Sequence, residues 1–175
     1  ISNPKAPVLA GFYTAPSTTK SIYISGKYAY LGVSKGTDVG GLYVIDISSS
    51  TNPVFAGRTT SFSNFVIDIV VRGKYAYLAA DGDGLKIIDI SNPVSPTVVG
   101  TYDSSGYTSG VYISGKLAYL ADLRAPLPVN DYGGMKIIDI SNPTNPIPLY
   151  TTALGGKSVS NVTVNGHYAY LSVDS

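Results

Sequence analysis

Short apolar segments with β-branched and aromatic residues recur along the chain, and Gly, Asn, Ser and Pro separate them. The segment GLKIIDISNP at 84–93 returns as GMKIIDISNP at 134–143. A third copy begins at 41 and reaches its Asn-Pro after three inserted residues, and the chain opens on the tail of a fourth, ISNP. Apolar runs of this length, bounded by turn residues, are typical of strands. The chain is therefore a repeat protein built from strands.

Each repeat unit contains four predicted strands, which we call a, b, c and d in chain order. The GLKIIDIS segments are c strands, YAYL-type segments are b strands, and d strands lie near 8–13 and 54–59. The glycines that precede the four b strands are 47, 42 and 51 residues apart. These glycines are Gly26, Gly73, Gly115 and Gly166. Four strands in a repeat of this length predict a β-propeller, in which each unit forms one blade.

The predicted fold is all-β: a propeller of four-stranded antiparallel blades, with about three complete blades and partial blades at the ends. The predicted divisions are a partial blade at 1–15, blades at about 17–60, 63–102 and 107–152, and a partial blade at 158–175. This order gives fifteen strands, one c strand short of four closed blades. Because an unpaired edge strand promotes association, we expect the chain to be part of a larger propeller or to accept a strand from a neighbouring chain.

Alternation within the b strands predicts how the blades pack. Tyr75 and Tyr77 share one face, and Ala76 and Leu78 share the other. Small Ala residues permit close approach of one neighbouring blade, and the tyrosines fill the gap to the other. The Gly before each b strand suits a tight a-to-b hairpin, which requires positive φ.

The repeated pattern YAYLA…GLKIIDISNP…P…VG resembles the LVIVD-repeat family, and the resemblance covers nearly the whole chain. It implies a propeller fold and an extracellular or cell-surface location, in bacteria or archaea. The chain departs from the pattern in the lengthened turn at 48–53 and the insertion at 123–132. The family offers no catalytic motif to transfer, so the resemblance implies no activity.

Composition narrows the function classes. Only 13% of the residues are charged, the formal net charge is +1, and no basic cluster is present, which argues against nucleic acid as a partner. All eleven acidic residues are Asp, cysteine is absent, and no apolar run is long enough for a transmembrane segment. Thiolate and cysteine-zinc chemistry are thereby excluded.

The candidate catalytic groups have simpler interpretations. Asp46, Asp89 and Asp139 recur at the ends of the c strands, and we expect each to accept hydrogen bonds from the following Ser-Asn-Pro turn. His167 is the only histidine and occupies a predicted surface turn that holds Lys in other units. We therefore expect no catalytic residues, although paired aspartates of the glycosidase kind stay open as an alternative.

Asp81 and Asp83 alternate with glycines in the manner of a calcium loop. The later ligands of such a loop are missing, and the acids do not recur in register in the other units. A solvated turn is the favoured interpretation, so we expect no cofactor, with calcium as the alternative.

Variable loops identify the candidate binding surface. The b-to-c and d-to-a loops share one rim of the propeller and vary in length, and such loops on a rigid scaffold commonly bind ligands. The candidate binding residues are Phe62, Phe65, Tyr107, Asp122, Arg124, Asp131 and Tyr132. We expect a non-enzymatic scaffold that binds protein, glycan or copies of itself through this rim; the alternative is the propeller portion of a carbohydrate-active enzyme.

Overall fold

Every regular element of the structure, a computed structural model, is a β-strand. The structure describes residues 4–34, 40–59, 62–123, 133–152, 154–155 and 157–174, and these residues contain no helix. Their fourteen strands form three four-stranded antiparallel sheets and one two-stranded sheet. The predicted all-β fold of four-stranded propeller blades is confirmed.

The strands follow the chain in a simple up-and-down order within each sheet. Sheet 1 contains β1 (Thr19–Ser25), β2 (Tyr28–Val33), β3 (Gly41–Asp46) and β4 (Val54–Arg58). Sheet 2 contains β5 (Asp68–Arg72), β6 (Tyr75–Ala79), β7 (Leu85–Asp89) and β8 (Thr97–Tyr102). Sheet 3 contains β9 (Tyr107–Ser114), β10 (Leu117–Leu123), β11 (Gly134–Asp139) and β12 (Ile147–Thr152). Sheet 4 contains β13 (Val159–Asn165) and β14 (Tyr168–Val173).

The a strands form the inner part of the propeller, because β5 contacts β1 and β9, and β9 contacts β13. Apolar side chains fill the space between successive sheets. Ala76 and Leu78 pack in the cluster between sheets 1 and 2, while Tyr77 packs in the cluster between sheets 2 and 3. The predicted division of b-strand faces is therefore confirmed, and each internal blade is buried on both sides.

Glycines serve two purposes in the repeat, in the hairpin turns and at the contacts between blades. The hairpin glycines Gly26 and Gly73 have φ angles of 58°, in the left-handed region that glycine adopts without strain. Gly100, on β8, lies against the Asn-Pro turn of the next blade, and a Cβ built on it would lie 1.9 Å from the carbonyl oxygen of Pro143. The repeat thus places glycine where one blade meets the turn of the next.

The predicted d strand near 8–13 is wrong: in the structure these residues join none of the sheets. A d strand obtains its hydrogen bonds from the c strand of its own blade, and no c strand lies beside this segment among the described residues. The segment nevertheless keeps the packing of a d strand. Gly11 lies against the backbone of Ser50 and Thr51, and Tyr13 packs beside Tyr43.

Candidate functional site

The b-to-c and d-to-a loops meet at one rim of the propeller, as their positions in the repeat predict. Oδ2 of Asp83 accepts hydrogen bonds from the backbone N–H groups of Ser63 and Asn64, at 2.7 and 3.0 Å. Asp81 forms a backbone bridge to Thr108, so the b-to-c loop of sheet 2 is bonded both to the loop that leads into β5 and to β9 of sheet 3. The rim is a connected layer of loops between blades.

Two of the candidate binding residues lie at least partly exposed on this rim. Phe65 is exposed, and the ammonium nitrogen of Lys20 lies 5.7 Å from the centre of its ring, a favourable cation–π distance. Tyr107 is half-buried and borders Gly82, which also borders Asn64. Phe65 and Tyr107 are aromatic side chains, which are enriched at protein interfaces.

Two other candidates do not expose their side chains on the rim. Phe62 is buried in the core between sheets 1 and 2. Asp122 is fully buried, its Oδ1 accepts a hydrogen bond from the hydroxyl of Thr108 at 2.8 Å, and its Oδ2 lies 2.6 Å from Nζ of Lys136. Lys136 also donates a hydrogen bond to the carbonyl oxygen of Ser104. In this arrangement Asp122 links the strands of sheet 3. Sheets 1 to 4 are called blades 1 to 4 below.

Arg124, Asp131 and Tyr132 lie outside the described residues. Their role as binding residues stays a prediction.

The possible calcium ligands are engaged in loop structure. Asp83 is bonded to the neighbouring loop, and the half-buried Asp81 has a positive φ of 50°. Burial raises the pKa of Asp81, and the nearby carboxylate of Asp83 adds to the rise. Among the described residues, no group of three or more His, Cys, Asp or Glu side chains could hold a metal ion. Neither the expectation of no cofactor nor the calcium alternative is tested by this geometry.

The three repeated aspartates have the structural role that the sequence predicts. Oδ1 of Asp89 accepts a hydrogen bond from the backbone N–H of Ser91 at 2.8 Å, and Nζ of Lys74 lies 3.5 Å from Oδ2 of Asp89. Asp46 and Asp139 make the same bond to the second residue after them. Hydrogen bonds from Ser91 are the main cause of the lowered pKa of Asp89, and the charge of Lys74 contributes less. These carboxylates stabilise the turns that end the c strands.

A half-buried acid on the inner strand β5 was not singled out by the sequence. Asp68 accepts hydrogen bonds from the N–H groups of Ile69, at 2.8 Å, and of Val111 in the next blade, at 3.1 Å. Burial raises the pKa of Asp68, although both hydrogen bonds oppose the rise. The residue joins two inner strands, and in β13 the equivalent position holds Asn161, which accepts the same local bond. Position in the repeat is the sequence signal that identifies it.

A second feature that sequence reasoning missed is a cleft of about 450 Å³ beside the outer strands β4 and β8. Thr59 and Phe62 line one side, and Lys86, Pro96, Thr97 and Thr101 line the other. Lys86 is half-buried and lies opposite Thr101 in the sheet. The cleft combines a cation, hydroxyl groups and apolar surface.

The repeat itself matches a known family model. The model described as the LVIVD repeat matches residues 16–61, 66–104 and 105–150. Each match corresponds to one of the four-stranded sheets, and together the matches cover well over half of the chain. No curated protein matches the sequence.

Solved structures show a similar fold at low sequence identity. The designed protein Ika4 is 11% identical with a TM-score of 0.73, and the match covers 96% of this chain and 92% of Ika4. The designed protein Ika8 is 11% identical with a TM-score of 0.66, over 94% of this chain and 46% of Ika8. The β-propeller domain of Myceliophteria thermophila Cps50 (Swd1) is 11% identical with a TM-score of 0.63, over 89% of this chain and 52% of that one. The chain spans about half the length of Ika8 and of the Cps50 (Swd1) domain. Similarity at this low identity shows the fold alone.

Proposed function

Because the chain belongs to the LVIVD-repeat family and folds as propeller blades, we propose that it is a non-enzymatic scaffold, located outside the cell or on its surface. Its primary activity in this proposal is association, through two open sheet faces that pack against further blades of the same repeat. The resemblance to a family found largely in exported or surface-attached proteins supports this location. The observation that supports association is the exposure of apolar side chains on the open faces.

The first open face belongs to sheet 1. Ile22 and Ile24 are 63% and 54% exposed, whereas Ile69 and Val71 at the same positions of the next blade are 3% and 5% exposed. The positions correspond because Ile22 lies opposite Leu31 and Ile69 lies opposite Leu78 in their hairpins. Burying a large aliphatic side chain contributes about 1.5–3 kcal/mol, so this face is stabilised when another blade covers it.

The second open face belongs to sheet 4. Tyr168 and Tyr170 are 71% and 55% exposed, whereas Tyr30 and Tyr77, which occupy the position of Tyr170 in earlier blades, are 4% and 5% exposed. Inside the chain, Tyr30 packs in the same cluster as Ile69. A face of the Tyr170 type therefore fits a face of the Ile22 type, and both occur exposed on one chain.

Sedimentation of the 175-residue protein tests the proposal. We expect a mass that rises with concentration above that of a single chain, and Ile22→Lys or Tyr170→Lys should reduce the association because each places a charge in the interface. Val94→Lys is the control, since Val94 is 68% exposed but lies on a turn away from both faces. A protein that stays monomeric at high concentration, or that associates equally well with both face variants, would contradict the proposal.

The rim is a second binding surface in this proposal, with protein or glycan as its ligand. The exposed ring of Phe65 and the neighbouring Tyr107 and Asn64 support it, since aromatic and amide side chains suit both ligands. A carbohydrate-active enzyme is the alternative. It is less favoured because Asp83, the acid nearest to Asp81 in sequence, already accepts two backbone hydrogen bonds.

A further inference from the structure

Blades 2 and 3 place a lysine at the same repeat position but surround it differently. Lys86 lies opposite Leu78, and Lys136 lies opposite Leu120. In blade 3 the ammonium of Lys136 lies 2.6 Å from the buried carboxylate of Asp122. Lys136 therefore has an internal carboxylate as its partner.

Blade 2 contains no equivalent carboxylate. The position that corresponds to Asp122 holds Ala80, which is fully buried. Within the part of the chain that the structure describes, the ammonium of Lys86 has no hydrogen bond or ion pair. Arg58 also borders the cleft, but its guanidinium donates a hydrogen bond to the hydroxyl of Tyr43 at 2.9 Å and lies over that ring. Lys86 is thus the cation of the cleft that has no internal partner among the described residues.

The remaining walls of the cleft define the rest of the ligand. Thr101 lies opposite Lys86 in the sheet, and Thr97 adds a second hydroxyl group at the cleft wall. Pro96 and the exposed Val98 provide apolar surface. The volume of about 450 Å³ lies within the range of small-molecule sites. A ligand that fits carries a carboxylate, several hydroxyl groups and an apolar C–H face.

We propose that this cleft binds a hexuronic acid. The sugar carboxylate forms an ion pair with Lys86, as Asp122 does with Lys136, and the sugar hydroxyls form hydrogen bonds with Thr97 and Thr101. A sugar acid combines all three features in a compact ring. A charge-assisted hydrogen bond of this kind contributes about 1.5–3 kcal/mol, which corresponds to about ten- to a hundredfold in affinity. The cleft lies between sheets 1 and 2, so this inference is independent of association through the open faces.

Titration calorimetry with sodium D-glucuronate, D-glucose and sodium acetate tests the proposal on the full chain. We expect saturable binding of glucuronate. Glucose, which lacks the carboxylate, and acetate, which lacks the hydroxyls, should each bind at least about tenfold more weakly than glucuronate. Lys86→Met should weaken glucuronate binding about ten- to a hundredfold, because it removes the charge and keeps the length of the side chain. Lys157→Met, which removes an exposed lysine elsewhere, should leave binding unchanged.

Thr101→Val separates the hydroxyl array from the charge and guards against a folding defect in the lysine variant. It should weaken glucuronate binding severalfold while acetate binding stays the same. No glucuronate binding at millimolar concentration, equal binding by Lys86→Met, or equal affinity for acetate would overturn the proposal. Tighter binding of a short poly-glutamate peptide than of glucuronate would also overturn it and identify an acidic peptide as the ligand.

Discussion

Nζ of Lys136 lies 2.6 Å from Oδ2 of Asp122, and both side chains are almost entirely buried. The hydroxyl of Thr108 and the carbonyl oxygen of Ser104 complete the surroundings of the pair. A buried pair of this kind is costly to break, because the remaining charge cannot reach water. The polar network replaces the apolar contact that Ala80 makes at the same position in blade 2.

We predict that Asp122→Ala destabilises the protein by about 3–5 kcal/mol, because it leaves the ammonium of Lys136 buried without its carboxylate. Urea unfolding gives the change in the free energy of unfolding. The double variant Asp122→Leu/Lys136→Met should recover most of the loss, because apolar side chains of similar volume replace both charges. A loss below about 1 kcal/mol for Asp122→Ala would show that the pair is not buried as described.

Gly100→Ala should destabilise the protein by about 1–3 kcal/mol through overpacking, because a Cβ would lie 1.9 Å from the carbonyl oxygen of Pro143. Tyr150 provides the matched control. It lies opposite Ile137 as Gly100 lies opposite Ile87, yet its side chain is exposed. Tyr150→Ala should change the free energy of unfolding by less than about 0.5 kcal/mol. Thermal unfolding of both variants measures the difference.

The sequence predicted most of the fold, because each strand position recurs in several units with the same pattern. The b strands illustrate this, since alternation in YAYL placed Tyr77 and Ala76 on the correct faces. The expected strand near 8–13 failed for a physical reason: a strand pattern does not supply the partner that a strand requires.

The candidate site was less predictable than the fold. Asp122 and Lys136 are 14 residues apart on adjacent strands, and their contact depends on a diagonal across the sheet that no local pattern expresses. Lys86 occupies the same repeat position as Lys136, but its surroundings differ because Ala80 stands at the position of Asp122. Repeats reveal the structure that the units share, but not the contacts that arise where the units differ.

We predict that ionisation of the Asp68 carboxyl lowers the free energy of unfolding as pH rises. Burial raises its pKa in the folded state, so the folded protein binds the proton more tightly than the unfolded chain does. Its contribution to stability is therefore greatest at acid pH, falls as pH rises from about 3.9 through the raised value, and stays low above it.

Urea unfolding of Asp68→Asn and Asp68→Ser between pH 3 and 8 checks this dependence. Both variants lack the carboxyl, so the stability of each relative to the wild type should rise with pH by the same amount, whatever their difference at pH 3. Asn and Ser occupy this position in β13 and β1, which makes both substitutions compatible with the inner strand. Parallel curves for all three proteins would refute the role of Asp68 in the pH dependence.

The last prediction separates two causes of one lowered pKa. Hydrogen bonds from Ser91 lower the pKa of Asp89 more than the charge of Lys74 does, and the 3.5 Å contact with Lys74 is exposed to solvent, which screens it. A lowered pKa means that Asp89 stabilises the turn above about pH 3.9 and that this stabilisation is lost as pH falls through the lowered value. Ser91→Ala should therefore raise the pKa of Asp89 more than Lys74→Met does, and 0.5 M salt should remove only the smaller effect. Carbon-13 NMR titration of the Asp89 carboxyl measures each shift. If Lys74→Met produced the larger rise, the turn would be held by the ion pair, and the hydrogen bond from Ser91 would be a consequence of the turn geometry.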